Sequence, residues 1–506
     1  MWLKSIDKII DHITMYRLLL YYLTGLIIVA VVLSASGVMQ YAAVDIVISA
    51  AVLVFACWII NKILASIFDA PVNPESSILT GLILALIIQP NPTGFNLLFM
   101  LAAAGLAMGS KYILTYKRKH IFNPAAIAVF LTAIGPHQTA DWWVGTVAML
   151  PFVIAGGLLL VRKIRRESMV ITYLIATIIT TALFALAAHA NLLSDLKDMA
   201  LTSAAFFLGF VMLTEPYTSP DTKTKRLFYG ALVGVLIAPL FHIGHYYTTP
   251  EAALVIGNLF AFFISDKTKL FPVLRRKYLI AKNSAEFVFA TNAQVAYQPG
   301  QYMEFTLPHE STDSRGSRRY FSLSSSPTEP DIKIGVRFYK KGSSYKSALS
   351  NMDPGDYITA AQLSGDFVLP KDQKTKLVFI AGGIGITPFR SMLKFLIDKH
   401  QIRDITLLYA VSSPEDIAYR ETIDAARDKL GVKATYIFSR KRSVKRPNEL
   451  NGRINRVMIE RLVPDYLERT FYISGPFTMI KDIKGTLVKL GVPRANIKVD
   501  FFSGYA

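Results

Sequence analysis

The chain has 506 residues, 52% of them hydrophobic, with a mean hydropathy of +0.37 and a net charge of +19. That is too apolar for an ordinary soluble protein, and the length leaves room for roughly two to four domains. The single cysteine, Cys57, excludes an intrachain disulfide, a Cys-ligated iron–sulfur cluster and a Cys-rich zinc site; the basic residues cluster between apolar runs, which points to membrane topology and away from nucleic acid.

The apolar excess lies before about residue 266. Lys4, Lys8 and Arg17 lead into a first apolar run with no small-residue cleavage site after it, which predicts a retained span. A bilayer crossing needs about 20 apolar residues. About ten candidates start near residues 17, 43, 77, 93, 123, 143, 169, 196, 227 and 251. The third and fifth are short and predict re-entrant or broken helices, which are tolerated where protein or a cavity satisfies the backbone. One set of loops carries Lys62, Lys117 to Lys119, Arg162 to Arg166, Lys223 to Arg226, and Arg275 to Lys277. The other set, Gln89 to Gly94, Gly135 to Asp141, His189 to Asp198 and Gly244 to Glu251, holds only Lys197. The positive-inside rule places the first set, both termini and everything after the last span in the cytoplasm.

From about residue 276 the pattern changes to short alternating strands. Glu286–Ala290, Tyr302–Leu307, Ile332–Tyr339 and Tyr357–Gln362, punctuated by turns such as Asp353-Pro354-Gly355-Asp356, predict a small antiparallel barrel. Beyond about residue 375, strands at Lys376–Ala381, Ile405–Ala410, Ala434–Phe438 and Thr470–Ile473 alternate with helices, as in a parallel α/β domain. The expected layout is a polytopic α-helical membrane domain over 1–270, a β-barrel domain over 271–372 and a parallel α/β domain over 373–506.

Two motifs carry chemistry. Lys376–Ala381 runs into Gly382-Gly383-Ile384-Gly385-Ile386-Thr387-Pro388 and then a helical stretch. A Gly-rich turn between strand and helix lets backbone N–H groups approach a pyrophosphate at the helix N-terminus. Arg319-Tyr320-Phe321-Ser322 supplies a guanidinium for a flavin phosphate, aromatics for stacking and a hydroxyl for the ring. Gly342, Ser343 and Ser344 add candidate phosphate contacts.

Together these residues resemble the ferredoxin–NADP reductase family, over roughly Arg276 to Ala506. Gly365-Asp366-Phe367, Ser474-Gly475-Pro476 with Met479, and the terminal Phe501-Phe502-Ser503-Gly504-Tyr505 belong to the same resemblance. It implies that Arg319 to Ser322 bind FAD, that Gly382, Gly383, Gly385, Thr387 and Pro388 bind NAD(P)H, and that Gly475, Pro476, Met479 and Phe502 lie around the nicotinamide and flavin. Ser322 and Ser474 are then the catalytic candidates. Phe321 stands where the family often has Tyr, and Ser474 where it often has Cys. NADH and NADPH are both open: Ser439, Arg440, Lys441 and Arg442 suit either a 2′-phosphate or a solvated loop.

In the apolar half, Lys119-His120-Ile121-Phe122-Asn123-Pro124-Ala125, Leu213-Thr214-Glu215-Pro216-Tyr217-Thr218-Ser219-Pro220 and Glu75-Ser76-Ser77-Ile78-Leu79-Thr80-Gly81 resemble a family of membrane proteins, RnfD of the Rnf complex and NqrB of the sodium-pumping NADH:quinone reductase. The resemblance implies ten spans and a non-covalent FMN or riboflavin near Asn123, with Thr214 as a second contact. Asn123 before Pro124 is equally a helix cap. That family also attaches FMN covalently to an outer-loop Thr; Thr139 lacks the neighbours for this, so no adduct is expected.

The function expected is a multi-pass oxidoreductase of the cytoplasmic membrane. It takes electrons from cytoplasmic NAD(P)H via FAD and a membrane flavin to an extracytoplasmic acceptor such as a flavoprotein. Alternatives are a quinone reductase without transmembrane transfer and redox-driven ion transport in a larger complex, with Asp45 and Glu215 as the plausible acids. A haem-based oxidase needs stacked His pairs, and His189, His242 and His245 crowd near the outer ends instead. No metal site is expected.

Overall fold

The computed structural model describes residues 13–68, 74–116, 119–135, 138–202, 204–238, 242–243, 246–265, 269–291, 295–310, 312–313, 315–339, 342–440 and 446–500. The chain divides into two compact units, Met1–Thr268 and Lys269–Ala506.

The first unit is helical. Its main helices are α1 (Met15–Ala35), α2 (Ala43–Ile67), α3 (Pro74–Ile87), α4 (Gly94–Ile113), α5 (Pro124–Ile134), α6 (Leu150–Ile164), α7 (Glu167–Ala187), α8 (Leu192–Thr202), α9 (Lys223–Leu236) and α10 (Pro250–Ile264). Their starts follow the apolar runs read from sequence. Among the described residues, α1, α2, α4 and α7 are the helices long and apolar enough to cross a membrane by length and composition, so the expected count of about ten spans stays an expectation. Segments α3, α5 and α10 are apolar but short. The unit is apolar outside as well as inside: Ile28, Val44, Ile67 and Phe263 are exposed around a core of residues such as Leu53, Leu84 and Met108, among which a few polar groups, Asn123, Glu251 and Asn258, are buried. Such side-chain placement suits a lipid solvent.

Two local devices shape the bundle. Gly230 and Gly234 sit one turn apart on α9, where a Cβ on Gly234 would lie 2.4 Å from the Tyr173 carbonyl oxygen of α7 and one on Gly230 would lie 2.6 Å from that of Met169. Only the missing side chains allow the two backbones so close. After α8, a short turn at Ala205–Phe207 leads into a π-helical segment, Leu208–Met212, closed by Leu213 N–H donating to Leu208 O at 2.8 Å. The widened turn ends at Thr214-Glu215-Pro216.

The second unit opens with antiparallel strands: β1 (Lys269–Leu270), β2 (Val273–Ala281), β3 (Ser284–Ala290), β4 (Tyr302–Thr306), β5 (Arg318–Ser322), β6 (Ile332–Arg337) and β7 (Thr359–Ser364). They form sheets of order β6-β3-β2 and β1-β7-β4-β5, joined by isolated bridges Val273–Tyr357 and Leu323–Ile334. Their inner faces enclose Phe287, Phe289, Phe305 and Ile334, with helix α11 (Ser344–Asn351) contributing Tyr345 and Leu349. The nine-residue β2 was not in the predicted set. Arg275, Arg276, Lys277, Tyr278 and Leu279 are all exposed along it, so the edge strand has no hydrophobic alternation to read. Predicted Tyr357–Gln362 begins later, at Thr359, and predicted Ile332–Tyr339 stops at Arg337.

The remainder is a six-stranded parallel sheet, β8 (Leu377–Gly382), β9 (Ile405–Val411), β10 (Lys433–Phe438), β11 (Glu449–Asn451), β12 (Thr470–Ser474) and β13 (Ile497–Asp500), in the order β11-β10-β9-β8-β12-β13. Helices α12 (Thr387–Asp398), α13 (Arg420–Leu430), α14 (Arg456–Leu462) and α15 (Phe477–Lys489) connect it. Alternate residues of β8 feed opposite layers. Phe379 packs with Phe389 and Tyr472 on one side, while Val378 and Ile380 meet Phe471 and Ile483 on the other. That continuous apolar β8 is buried on both faces, as a central parallel strand must be.

Candidate active site

Strand β5 pairs with β4 so that Arg319 faces Phe305 and Ser322 faces Tyr302 in register. Arg319 is buried; its Nη1 donates to the carbonyls of Arg315 at 2.8 Å and Gly316 at 3.1 Å, and its guanidinium lies 5.0 Å from the Tyr345 ring centroid. Phe321 shares the core with Phe305 and Tyr345, whereas Tyr320 meets Tyr302 edge-on and donates to Gln362 Oε1 at 3.3 Å. Gly342, Ser343 and Ser344 lead into α11. Ser343 caps that helix, accepting from Lys346 N–H, and Ser344 is engaged by Asp313 and His309. Arg315 secures the corner by donating to Asp313 at 2.7 Å and to Gly342 O at 3.1 Å.

The charge here is one-sided. Burial first, then the positive charges of Arg319, Arg315 and Arg337, push the Lys346 amine down to about 8. Burial opposes ionisation of Asp313, but its bonds to Arg315 and to the Ser344 and Arg315 amides hold the carboxyl at about 2. Four cations, Arg315, Arg319, Arg337 and Lys346, against Asp313 and the Asp416 that pairs with Arg337 leave a surplus of positive charge beside a helix start, a setting suited to a phosphate group.

The Gly-rich loop closes on the second motif. Loop residues Gly383–Ile386 make a 3₁₀ turn between β8 and α12, with Gly383 at φ +53° and Pro388 at the start of α12. A Cβ on Gly385 would lie 2.6 Å from backbone atoms of Ser474 and Gly475, and one on Gly382 would lie 2.6 Å from Met479 Sδ and 2.9 Å from Pro476 Cδ. Thus the turn and Ser474-Gly475-Pro476 are in direct backbone contact. Thr387 donates to Ile384 O at 3.2 Å, and its methyl lies under Gly335 of the barrel. Arg337, at the end of β6, brings Nη1 to 3.2 Å from the Cβ position of Gly383. This residue is invisible to motif reading because it lies outside both glycine motifs.

Ser322 and Ser474 come from different domains and converge on one carboxylate. Ser322 Oγ donates to Asp500 Oδ2 at 2.9 Å and Ser474 Oγ to the same oxygen at 3.4 Å. All three residues are buried. Asp500 ends β13 directly beside Ser474 in register. It is not among the residues expected from sequence; an acid closing the last apolar strand was the available signal. Phe502 lies outside the described residues.

In the first unit, Asn123 caps α5. Its Oδ1 accepts from Ala126 N–H at 3.0 Å, its Nδ2 donates to Glu215 Oε2 at 2.8 Å, and its backbone N–H donates to Asn258 Oδ1 at 2.8 Å. Asn258 also donates to Tyr229 Oη at 3.0 Å, and His120 stacks on Tyr217 at 5.3 Å with its Nε2 3.5 Å from Glu215 Oε1. Beside them is a cavity of about 20 Å³ lined by His120, Tyr217, Thr218, Ser219, Phe262 and Ser265. Thr214 turns its hydroxyl back to Phe210 O at 2.7 Å. The structure therefore brings Asn123 to Glu215 and leaves Thr214 bonded within its own turn.

Comparison with known proteins divides along the same line. Residues 141–271 match the family model described as NQR2, RnfD, RnfE family, and residues 379–485 match that of the oxidoreductase NAD-binding domain. The chain fuses these two modules. Its reductase half is similar to a flavohemoprotein of Bacillus cereus (30% identity over 216 residues, 41% of this chain and 53% of the relative) and to an NADPH oxidoreductase of Mycobacterium tuberculosis (30% over 185 residues, 36% and 46%). Among solved structures, the FAD/NAD-binding domain of nitric oxide dioxygenase from Vibrio cholerae aligns with a TM-score of 0.41 at 24% identity, covering 46% of this chain and 98% of that one. The fusion spans about half the length of the curated relatives it matches. The second unit thus carries an oxidoreductase NAD-binding domain and is similar to the reductase part of these flavoproteins.

Proposed function

We propose that the fusion is a membrane-bound oxidoreductase that draws electrons from cytoplasmic NAD(P)H through FAD, and then a membrane-held flavin, to an extracytoplasmic acceptor such as a flavoprotein. The observation that carries this reading is the meeting of Ser322 and Ser474 on Asp500. A flavin-strand hydroxyl and a nucleotide-motif hydroxyl share one buried acid, which suits two bound rings facing each other there.

FAD held here would supply a two-electron acceptor for the hydride of NAD(P)H that can also pass electrons on singly. The protein's part is placement. Arg319, Arg315 and Lys346, with Ser343, hold the pyrophosphate of FAD; Tyr320, Phe321 and Ser322 border its ring. Gly382, Gly383, Gly385, Thr387, Pro388 and Arg337 receive the nucleotide pyrophosphate, and Gly475, Pro476 and Met479 flank the nicotinamide. Asp500 orients both serine hydroxyls and offers a proton acceptor within hydrogen-bond reach. Support for a membrane flavin is the concentration of polar groups, Asn123, Glu215, His120, Asn258 and Tyr229, around one point of a predominantly apolar unit. The basic loops support a cytoplasmic reductase and cytoplasmic termini.

The test is made on detergent-purified, full-length protein and then on vesicles. Acid-released flavin should include FAD and a second flavin, without a haem band in the visible spectrum. NAD(P)H added outside inverted vesicles should reduce a membrane-impermeant acceptor trapped in the lumen. Reduction of added quinone alone would replace transmembrane transfer with quinone reduction.

A further inference from the structure

The flavin strand and the nucleotide loop are tied together by a buried ion pair away from the proposed reacting groups. Arg390 lies in the first turn of α12, three positions beyond Thr387. Glu329 lies in the turn that joins β5 to β6. Arg390 meets it as a fork: Nη2 donates to Oε1 at 3.0 Å and Nη1 to Oε2. The same Nη1 donates to Ser324 O at 2.9 Å, two positions beyond Ser322. Ser391 adds its hydroxyl to Ser325 O. Glu329 is completed from its own side by the Ser326 amide and Lys333 Nζ, each at 2.7 Å.

Side chains of Arg390 and Glu329 are 9% and 10% exposed, so the pair is desolvated. A pair so placed gains little net stability over an apolar contact of the same shape, because desolvation offsets attraction. What a forked, charge-assisted contact does supply is a fixed angle and distance. Here it fixes the start of α12, and with it the nucleotide loop, against the segment that follows Ser322. Burial works against the charge on Glu329, but the Arg390 hydrogen bond and charge, with Lys333, hold its carboxyl at about 2.

We propose that the Arg390–Glu329 fork is a positioning clamp that sets the nicotinamide end of the nucleotide site against the flavin strand. The inference rests on the oxidoreductase reading above. Hydride transfer is steep in geometry: a misplacement of about 1 Å costs on the order of 100-fold. The clamp acts through Ser322 and the loop and touches neither ring.

The experiment compares full-length wild type with Arg390→Ala, Arg390→Lys and Glu329→Gln. Flavin content, the dissociation constants of NADPH and NADH, single-turnover hydride transfer with its deuterium isotope effect, and ferricyanide reoxidation of the dithionite-reduced protein are measured on each. Amide exchange across residues 322–333 gives a readout independent of turnover. In Arg390→Ala and Glu329→Gln, hydride transfer should slow on the order of 10- to 100-fold with a larger isotope effect. Their flavin content, nucleotide binding and ferricyanide reoxidation should stay within about twofold, an effect below roughly 0.5 kcal/mol, and exchange at 322–333 should rise. Arg390→Lys, which keeps the charge and loses the fork, should fall between. Where Arg390→Ala fails to fold, the near-isosteric Glu329→Gln carries the comparison. Wild-type hydride transfer in Glu329→Gln and Arg390→Lys overturns the clamp alone. A wild type that oxidises neither NADPH nor NADH overturns the oxidoreductase reading and the clamp with it.

Discussion

The two units place polar groups by opposite logic. In the first, buried Asn123, Asn258 and Tyr229 and the half-buried Glu215 satisfy one another inside a shell of exposed Ile, Val and Phe. In the second, Phe379, Phe389 and Tyr472 fill the interior, and buried polar groups gather where barrel and sheet domains meet, at Asp500 and at Glu329. Cohesion follows the same division. Helices in lipid gain little from hiding apolar surface and depend on close backbone approach and internal hydrogen bonds; the reductase unit depends on apolar burial and uses its polar contacts for registration.

The largest test of this contrast is Gly234→Leu. A leucine there collides with the Tyr173 carbonyl and the Ala176 side chain, an overlap expected to cost more than about 3 kcal/mol. Membrane-extracted protein should lose its heat-stable helical signal while NAD(P)H:ferricyanide activity survives; loss of both together would show that the units do not fold separately. The second test is acid. The Glu329 carboxylate has a folded value of about 2 against an ordinary 4.5. Its contribution, on the order of 3 kcal/mol, is therefore present above about pH 4.5 and lost as pH falls toward 2. The gap in melting temperature between wild type and Glu329→Gln should be widest at neutral pH, narrow below about pH 4.5 and close as the pH nears 2, a trend no apolar contact would give. Third, Gly385→Ala drives a Cβ against Ser474 and Gly475 backbone, about 1–3 kcal/mol of strain. Titration should show weakened NADPH and NADH binding with full flavin occupancy. Smallest is Asn123→Ala, which removes the α5 cap for about 1 kcal/mol and should lower the melting temperature of the membrane unit alone.

Legibility in the sequence followed physics more than motif strength. Helix starts in the first unit were readable because lipid demands long apolar runs, and Asn123-Pro124 announced its cap. The Gly-rich turn was readable because β8 is buried on both faces and enters it without a break. Strand β2 was not, since an exposed edge strand of consecutive charges has no period. Asp500, Arg337, Arg390 and Glu329 were not either. Each is an ordinary charged residue whose meaning comes from a contact far along the chain, and local spacing carries no trace of such a contact.

The π-helical turn at Leu208–Met212 ties the membrane unit to chain length. An α-helix rotates by about 100° per residue, and a π turn holds one residue more than an α turn. Deleting a single residue between 208 and 212 lets the wide turn rewind as an α turn with Glu215 still on the side of the Asn123 amide, whereas one residue more than the wide turn can absorb swings Glu215 about 100° around the helix axis and off that amide. Single-residue deletions in this segment should therefore be better tolerated than single-residue insertions, a pattern that a scan of length variants would read directly.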